Sequence, residues 1–192
     1  MLSGSELPPF QQIKPEHAEP AVDALLAEAR SAVAASVGAP GAPSWNSLVT
    51  PIETAGDRLS RAFSPVSHLH SVMDSPEWRE AYQACLPKLT DFHTEMGQNT
   101  ALFEAYESLA NSPEYAKLDD HQRKVIDDAL RDFRLSGVAL NTQDKARYKE
   151  IMQGLSALST QFQQNLLDAT QAWNKQINDE SDLTGLPDSA KS

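Results

Sequence analysis

The sequence predicts an all-α protein, a multi-helix antiparallel bundle with a long C-terminal helix. Three observations predict it. The hydrophobic residues are dominated by 25 Ala and 21 Leu, against 13 Val and Ile together, a balance that suits helices and not a sheet. Apolar residues recur at spacings of three and four through most of the chain. Many of the 12 prolines stand where a helix could begin. At 192 residues the chain can bury a proper core without a disulfide or structural metal.

The stripe Val22, Leu25, Leu26, Ala29, Val33 and Val37 predicts an amphipathic helix from about Glu19 to Gly38. Pro15 and Pro20 both fit a first turn, so either can mark its start. Residues 38–43 (GAPGAP) read as a turn between antiparallel neighbours. Thr50, Pro51, Ile52 and Glu53 then form a capping-box pattern with proline at the first helical position. The stripe that follows, Ile52, Leu59, Phe63, Val66, Leu69 and Met73, runs through Pro65, where the missing N–H predicts a bend. Ser75 and Pro76 open another helix, whose seam of Trp78, Tyr82, Cys85, Leu89, Phe92 and Met96 reaches Gly97 past a second expected bend at Pro87.

A short helix carries Leu102, Phe103, Tyr106 and Leu109, and Ser112 with Pro113 gives a further start signal. Asp119 is a cap candidate with Gln122 for a helix bearing Val125, Ile126, Ala129, Leu130 and Phe133 up to Gly137. Its outer face offers three opposite-charge pairs four residues apart, Arg123/Asp127, Lys124/Asp128 and Asp127/Arg131. The longest element should start after Asn141 and carry Ile151, Leu155, Leu158, Phe162, Leu166, Ala169, Trp173 and Ile177. Helical from 142 to 178, it would be roughly 55 Å long, longer than a compact chain of this size is wide. It should project, or pack along something absent. Gly185, Leu186, Pro187 and Asp188 look like a new helix start, and the end at Ser192 resembles a cut. The expected organisation is one helical lobe over residues 1–182, with 183–192 opening a next element that is truncated.

Composition narrows the function. The charge of −11 and the lack of a long basic run argue against nucleic acid as a partner. No stretch approaches the roughly 20 apolar residues that span a bilayer, so no membrane role is expected. A single Cys and an N-terminus without a basic start or apolar h-region make a cytoplasmic setting the default.

Catalytic motifs are missing from the sequence. His17, His68, His70, His93 and His121 are followed by Ala, Leu, Ser, Thr and Gln, so no His-Glu-x-x-His zinc motif exists. Gly-Lys and Gly-x-Ser-x-Gly are also absent. His68 and His70 would point about 200° apart on a helix and cannot chelate one ion. His70 and Asp74 have ligand spacing, yet a solvated hydrogen-bonded pair is the plainer reading. Asp91 and Glu95 beside His93 read as a solvated acidic face rather than an acid–base pair. Cys85 lies on the apolar seam as a small hydrophobe, and Trp78, Phe92, Phe162 and Trp173 read as core or as packing against a missing domain.

Long segments carry a resemblance. LPPFQQIKPEHAEP (Leu7 to Pro20), SPVSHLHSVMDSPEWREAYQACLP (Ser64 to Pro87), RKVIDDALRDFRLSGVAL (Arg123 to Leu140), LSALSTQFQQNLLDATQAW (Leu155 to Trp173) and the GLP at Gly185 to Pro187 cover nearly the whole chain. They resemble the N-terminal region of bacterial enzymes of the oligopeptidase A type, within the thimet oligopeptidase family of zinc metallopeptidases. The resemblance implies a parent enzyme of several hundred residues with two helical lobes facing across a deep channel, and zinc at the channel floor. It implies that this region is the N-terminal lobe and part of the channel wall, and that the parent cleaves short cytoplasmic peptides. The family's His-Glu-x-x-His helix lies far downstream, so no catalytic, metal or cofactor-binding residue carries over to this chain. The implied partners are the catalytic lobe of the same polypeptide and short peptide substrates, with zinc only in the full-length parent. The alternative is a stand-alone helical interaction module without peptidase activity. A third reading, an independent metallohydrolase, would need bound metal and loss of activity in His70→Ala.

Overall fold

Six α-helices carry the described residues, which in this computed structural model are 7–187 and Ser189. They are α1 (Ala18–Val37), α2 (Thr50–Met73), α3 (Pro76–Gly97), α4 (Thr100–Ala110), α5 (Asp120–Leu135) and α6 (Thr142–Ala172), and the described residues contain no strand. The all-α expectation holds. The chain divides into two units, Met1–Ser156 and Ala157–Ser192.

In the first unit both ambiguous prolines are used. Pro15 opens a 3-10 turn over Pro15–His17, and Pro20 sits in the first turn of α1, where its absent N–H has no partner to lose. The loop at 38–44 returns the chain so that α1 packs along α2. The ion pairs Lys88–Asp23 and Arg30–Glu95 join residues 65 apart in both cases, so α1 and α3 run parallel. The α2 helix runs antiparallel to both through short connections. Ile13, Val22, Leu25, Leu26, Ala29, Leu59, Val66, Trp78, Cys85, Leu89 and Phe92 form one core among these helices. Val33, Leu48, Val49, Leu102, Tyr106, Leu109, Ile126, Leu130, Phe133 and Val138 form a second around α4 and α5, and Met96 borders both.

Several starts and stops fall where the residues place them. Ser75 Oγ accepts from Trp78 N, Asn99 Oδ1 from Leu102 N, and Asn141 Oδ1 from Asp144 N. Asp119 and Gln122 close a reciprocal box, with Gln122 N donating to Asp119 Oδ1 at 2.8 Å and Asp119 N to Gln122 Oε1 at 3.1 Å. The α5 helix ends in a Schellman arrangement, in which Gly137 takes φ +81° and Val138 N donates to Phe133 O at 3.0 Å. The α2 and α3 helices continue through Pro65 and Pro87.

Other expectations are corrected. The capping box is not Thr50–Glu53 but Ser44–Ser47, because the helical path begins earlier to bury Leu48 and Val49 completely. That turn widens to an i→i+5 bond, Thr50 N to Trp45 O, directly ahead of Pro51, which cannot donate the next i→i−4 bond. Ser112 turns its hydroxyl back to Leu109 O, so Pro113 opens no α-helix, and one 3-10 turn at Tyr115–Lys117 follows. Of the three predicted pairs on α5 only Lys124–Asp128 forms. Arg123 takes Asp120 and the Leu118 carbonyl, Arg131 takes Asp128 and Asp132, and Asp127 accepts the Tyr115 hydroxyl. Met73 and Val125, both on predicted apolar stripes, are exposed.

In the second unit α6 ends at Ala172, not at 178. Trp173, Asn174, Ile177, Asn178 and Asp179 are all poor helix formers, and no packing compensates for them at the exposed Trp173 and Ile177. The 31 residues of α6 give a length of about 46 Å. Asp179 caps a 3-10 turn over Glu180–Leu183. Gly185 follows at φ +96°, and Asp188, the last residue of the expected new start, lies outside the described residues.

Candidate functional site

Chemistry-bearing side chains of the first unit concentrate along α2 and α3. Gly56, Ser60, Ser64, Ser67 and Ser71 repeat at three and four residues, so one face of α2 is nearly free of bulk. Where that face meets α3, a groove of about 700 Å³ opens, floored by Leu59, Phe63, Leu86, Leu89 and Phe92. His68, Thr90 and His93 stand at its rim. The groove can take a small, mostly apolar group and offer hydroxyls and imidazoles to its polar atoms. The sequence signal for this row is the helical spacing of Gly and Ser directly beside the apolar stripe of Leu59 and Phe63, and no site was expected there.

His70 is not in a solvated pair. It is 7% exposed, its ring stacks on Tyr82 at 4.3 Å, and its Nε2 has no hydrogen-bond partner. Asp74 is held instead by Arg79, whose Nε and Nη2 reach the two carboxylate oxygens at 2.6 and 2.7 Å. This fork fixes Asp74 at φ +43°, an uncommon conformation for a residue with a side chain, in the two-residue link between α2 and α3. Burial lowers the His70 pKa below its usual 6.5, with Asp74 opposing and Arg79 adding to the shift. A lowered folded-state value means that the contribution of His70 to stability is complete above about pH 6.5. It is lost as pH falls from there through the folded value. Thermal unfolding between pH 7.5 and 5 should therefore show a steeper acid loss for the native protein than for His70→Phe, which keeps the ring stack. Equal slopes would contradict this account.

The other candidates are dispersed. His17 Nδ1 accepts from Lys14 N, His68 packs on Phe10 at 5.4 Å, and His121 is exposed on α5. Asp91 and Glu95 do not form a free acidic face. Asp91 accepts from Gln153 Nε2 at 2.7 Å and pairs with Lys149, while Glu95 pairs with Arg30 at 2.9 Å. Cys85 is completely buried, and burial pushes its thiol up to about 11, which leaves almost no thiolate at neutral pH. Among the described residues no group of three or more His, Cys, Asp or Glu is placed to hold a metal ion.

The aromatics divide in two. Trp78 and Phe92 are core residues, whereas Phe162 and Trp173 are 68% and 74% exposed. In the second unit Leu158 and Leu166 join Phe162 as an exposed apolar row one helical turn apart. No described helix is long and apolar enough to cross a membrane.

Residues 22–145 match the family profile of the neurolysin/thimet oligopeptidase N-terminal domain. The chain belongs to the neurolysin/thimet oligopeptidase family. It is similar to the oligopeptidase A of Salmonella typhimurium, at 49% identity over 191 residues, which cover 99% of this chain and 28% of that protein. The oligopeptidase A of Escherichia coli is 47% identical over 191 residues with the same two shares. A dipeptidyl carboxypeptidase of Salmonella typhimurium is 29% identical over 181 residues, 94% of this chain and 27% of that protein. The chain thus spans less than a third of the length of these relatives.

Proposed function

We propose that this chain is the N-terminal helical lobe, residues 1–182 with 183–192 opening the next element, of a zinc-dependent oligopeptidase that cleaves short peptides in the cytoplasm. It contributes part of the substrate-channel wall and leaves hydrolysis to residues beyond this chain. The observation that carries the reading is the match of residues 22–145 to the N-terminal domain of a peptidase family.

Among the described residues no set of side chains fits zinc. The one imidazole nitrogen buried without a partner, His70 Nε2, has as its nearby carboxylate Asp74, which Arg79 already occupies. Cys85 would have to surrender a proton held to about pH 11. Catalytic ligands are accordingly assigned to the part of the polypeptide that the relatives carry and this chain lacks. The α2–α3 groove is the surface of this lobe that suits a short peptide, since its floor takes an apolar side chain while Ser64, Ser67 and Thr90 face the peptide's polar groups.

The test is the mass of the native product in source cells, probed with an antibody against this chain, together with hydrolysis of a quenched fluorescent nonapeptide. The expected result is a species several times heavier than 21.0 kDa that cleaves the peptide, while the 192-residue chain alone does not. A native product of 21.0 kDa would replace this reading with the stand-alone interaction module.

A further inference from the structure

The groove between α2 and α3 carries almost no charge. Among the described residues its lining holds no Asp, Glu, Lys or Arg, in a chain where 22% of residues are one of these four. Five charged residues lie within its span on the two helices, Asp57, Arg58, Arg61, Lys88 and Asp91, and each is already paired. Asp57 pairs with Arg61, Arg58 with Glu28, Lys88 with Glu19 and Asp23, and Asp91 with Lys149. Of the two imidazoles in the lining, His93 has its pKa lowered below the usual 6.5 by burial and is neutral at pH 7. What the groove does offer is hydroxyl. Thr54, Ser71 and Thr94 turn theirs back to the carbonyl four residues earlier, a common habit inside a helix. Ser60, Ser64 and Ser67 do not, and their hydroxyls have no partner among the described residues.

From Gly56 to Ser71 the groove runs about 22 Å along α2, the length of roughly six or seven residues of extended chain. An extended peptide presents an unpaired N–H and C=O at every residue, which a row of free hydroxyls can meet, whereas a helix arrives with these groups already paired. The groove therefore suits a strand-like occupant. We propose that it holds an uncharged stretch of an extended peptide against α2 and α3 and refuses a charged one. This rests on the reading of the chain as a peptidase lobe for the source of the peptide, and it names which peptides that lobe retains. The refusal follows from desolvation. A Lys or Asp side chain laid on the apolar floor loses water and finds no unpaired opposite charge within the groove's span. A Leu or Phe side chain in the same place gains burial against Phe63 and Leu86. Selectivity of this kind comes from what a surface withholds as much as from what it offers.

The test titrates the 192-residue chain into heptapeptides that carry an uncharged dye and blocked ends, and follows fluorescence anisotropy. One peptide has Leu-Phe at the centre of a Ser and Ala frame, a second has Lys-Lys there and a third Asp-Asp. The expected result is saturable binding of the Leu-Phe peptide, at least about tenfold tighter than of either charged one. Ser60→Leu fills the groove from an exposed helix position and should weaken that binding at least about tenfold. Ser67→Leu, two turns along the same row, should do the same, while Ser31→Leu on the exposed face of α1 leaves binding unchanged. No saturation by about 1 mM chain overturns the proposal, and so does binding that both groove variants leave intact. Equal affinity for the three peptides also overturns it. A chain that is dimeric and becomes monomeric in Ser60→Leu gives the groove to a second copy and overturns it as well. The readout is binding, not hydrolysis, so a long form that cleaves no peptide refutes the peptidase reading while leaving the binding result readable.

Discussion

Leu109→Ala should destabilise the 192-residue chain by about 3 kcal/mol, within the range of about 2–5 for truncating a buried leucine. Leu109 is completely buried on α4, in the second core with Tyr106, Leu118, Ile126 and Leu130. Three constraints keep that site from collapsing onto a cavity. The Asn99 cap fixes the start of α4, the Asp119–Gln122 box fixes the start of α5, and the Schellman bonds at Gly137 and Val138 fix its end. Urea unfolding should show a lower midpoint with an unchanged slope, since the same surface is exposed on unfolding. Leu158→Ala, on the exposed row of α6, should change the same chain by less than about 0.5 kcal/mol. A loss under about 1 kcal/mol for Leu109→Ala would mean that the second core is loosely packed and free to close over the gap.

The contrast between Leu109 and Leu158 also shows what the sequence could disclose. Both lie on stripes of helical period, and period alone places an apolar face without saying what covers it. The faces of α1, α3 and α4 were legible because their partners are in the chain, and Trp78, Cys85, Leu89 and Phe92 are buried as spaced. Local caps were legible for a different reason. Ser75, Asp119 and Asn141 each bond a backbone N–H three residues on, a contact that needs no tertiary information.

What stayed hidden depends on competition between distant or alternative partners. Thr50 had a good box pattern, but Ser44 and Ser47 supply another one turn and a half earlier, and burial of Leu48 and Val49 favours it. Asp127 had two basic residues at helical spacing and bonds Tyr115 instead, because the turn after Pro113 brings that hydroxyl within 2.7 Å. Asp74 stood at ligand spacing from His70, yet the link between α2 and α3 hands its carboxylate to Arg79 and leaves the imidazole in the core. The groove was missed because serines at helical spacing carry no hydrophobic signal. Its depth arises only when α3 supplies the opposite wall.

Gly97→Ala gives the sharpest sign test of the packing between the ends of α3 and α5. Gly97 is the last residue of α3 and does not need a positive φ, so on propensity alone alanine would stabilise by up to about 1 kcal/mol. The close approach predicts the reverse. An added Cβ would lie 2.6 Å from Ser136 Cβ and 2.7 Å from Ser136 Oγ. The hydroxyl could rotate away, but Ser136 Cβ is fixed by the backbone bonds that end α5, Ser136 N to Asp132 O at 2.8 Å and Gly137 N to Arg134 O at 3.1 Å. The two helix ends would have to separate. The expected net loss is about 1–3 kcal/mol, as for other overpacked sites. Ser136→Gly removes the opposing carbon at a cost of roughly 0.5–1 kcal/mol on its own. The double variant should then recover most of the Gly97→Ala loss, giving a coupling of at least about 1 kcal/mol in a double-mutant cycle. Additive effects, or a stabilised Gly97→Ala, would show that the two helix ends are not held at this distance in solution.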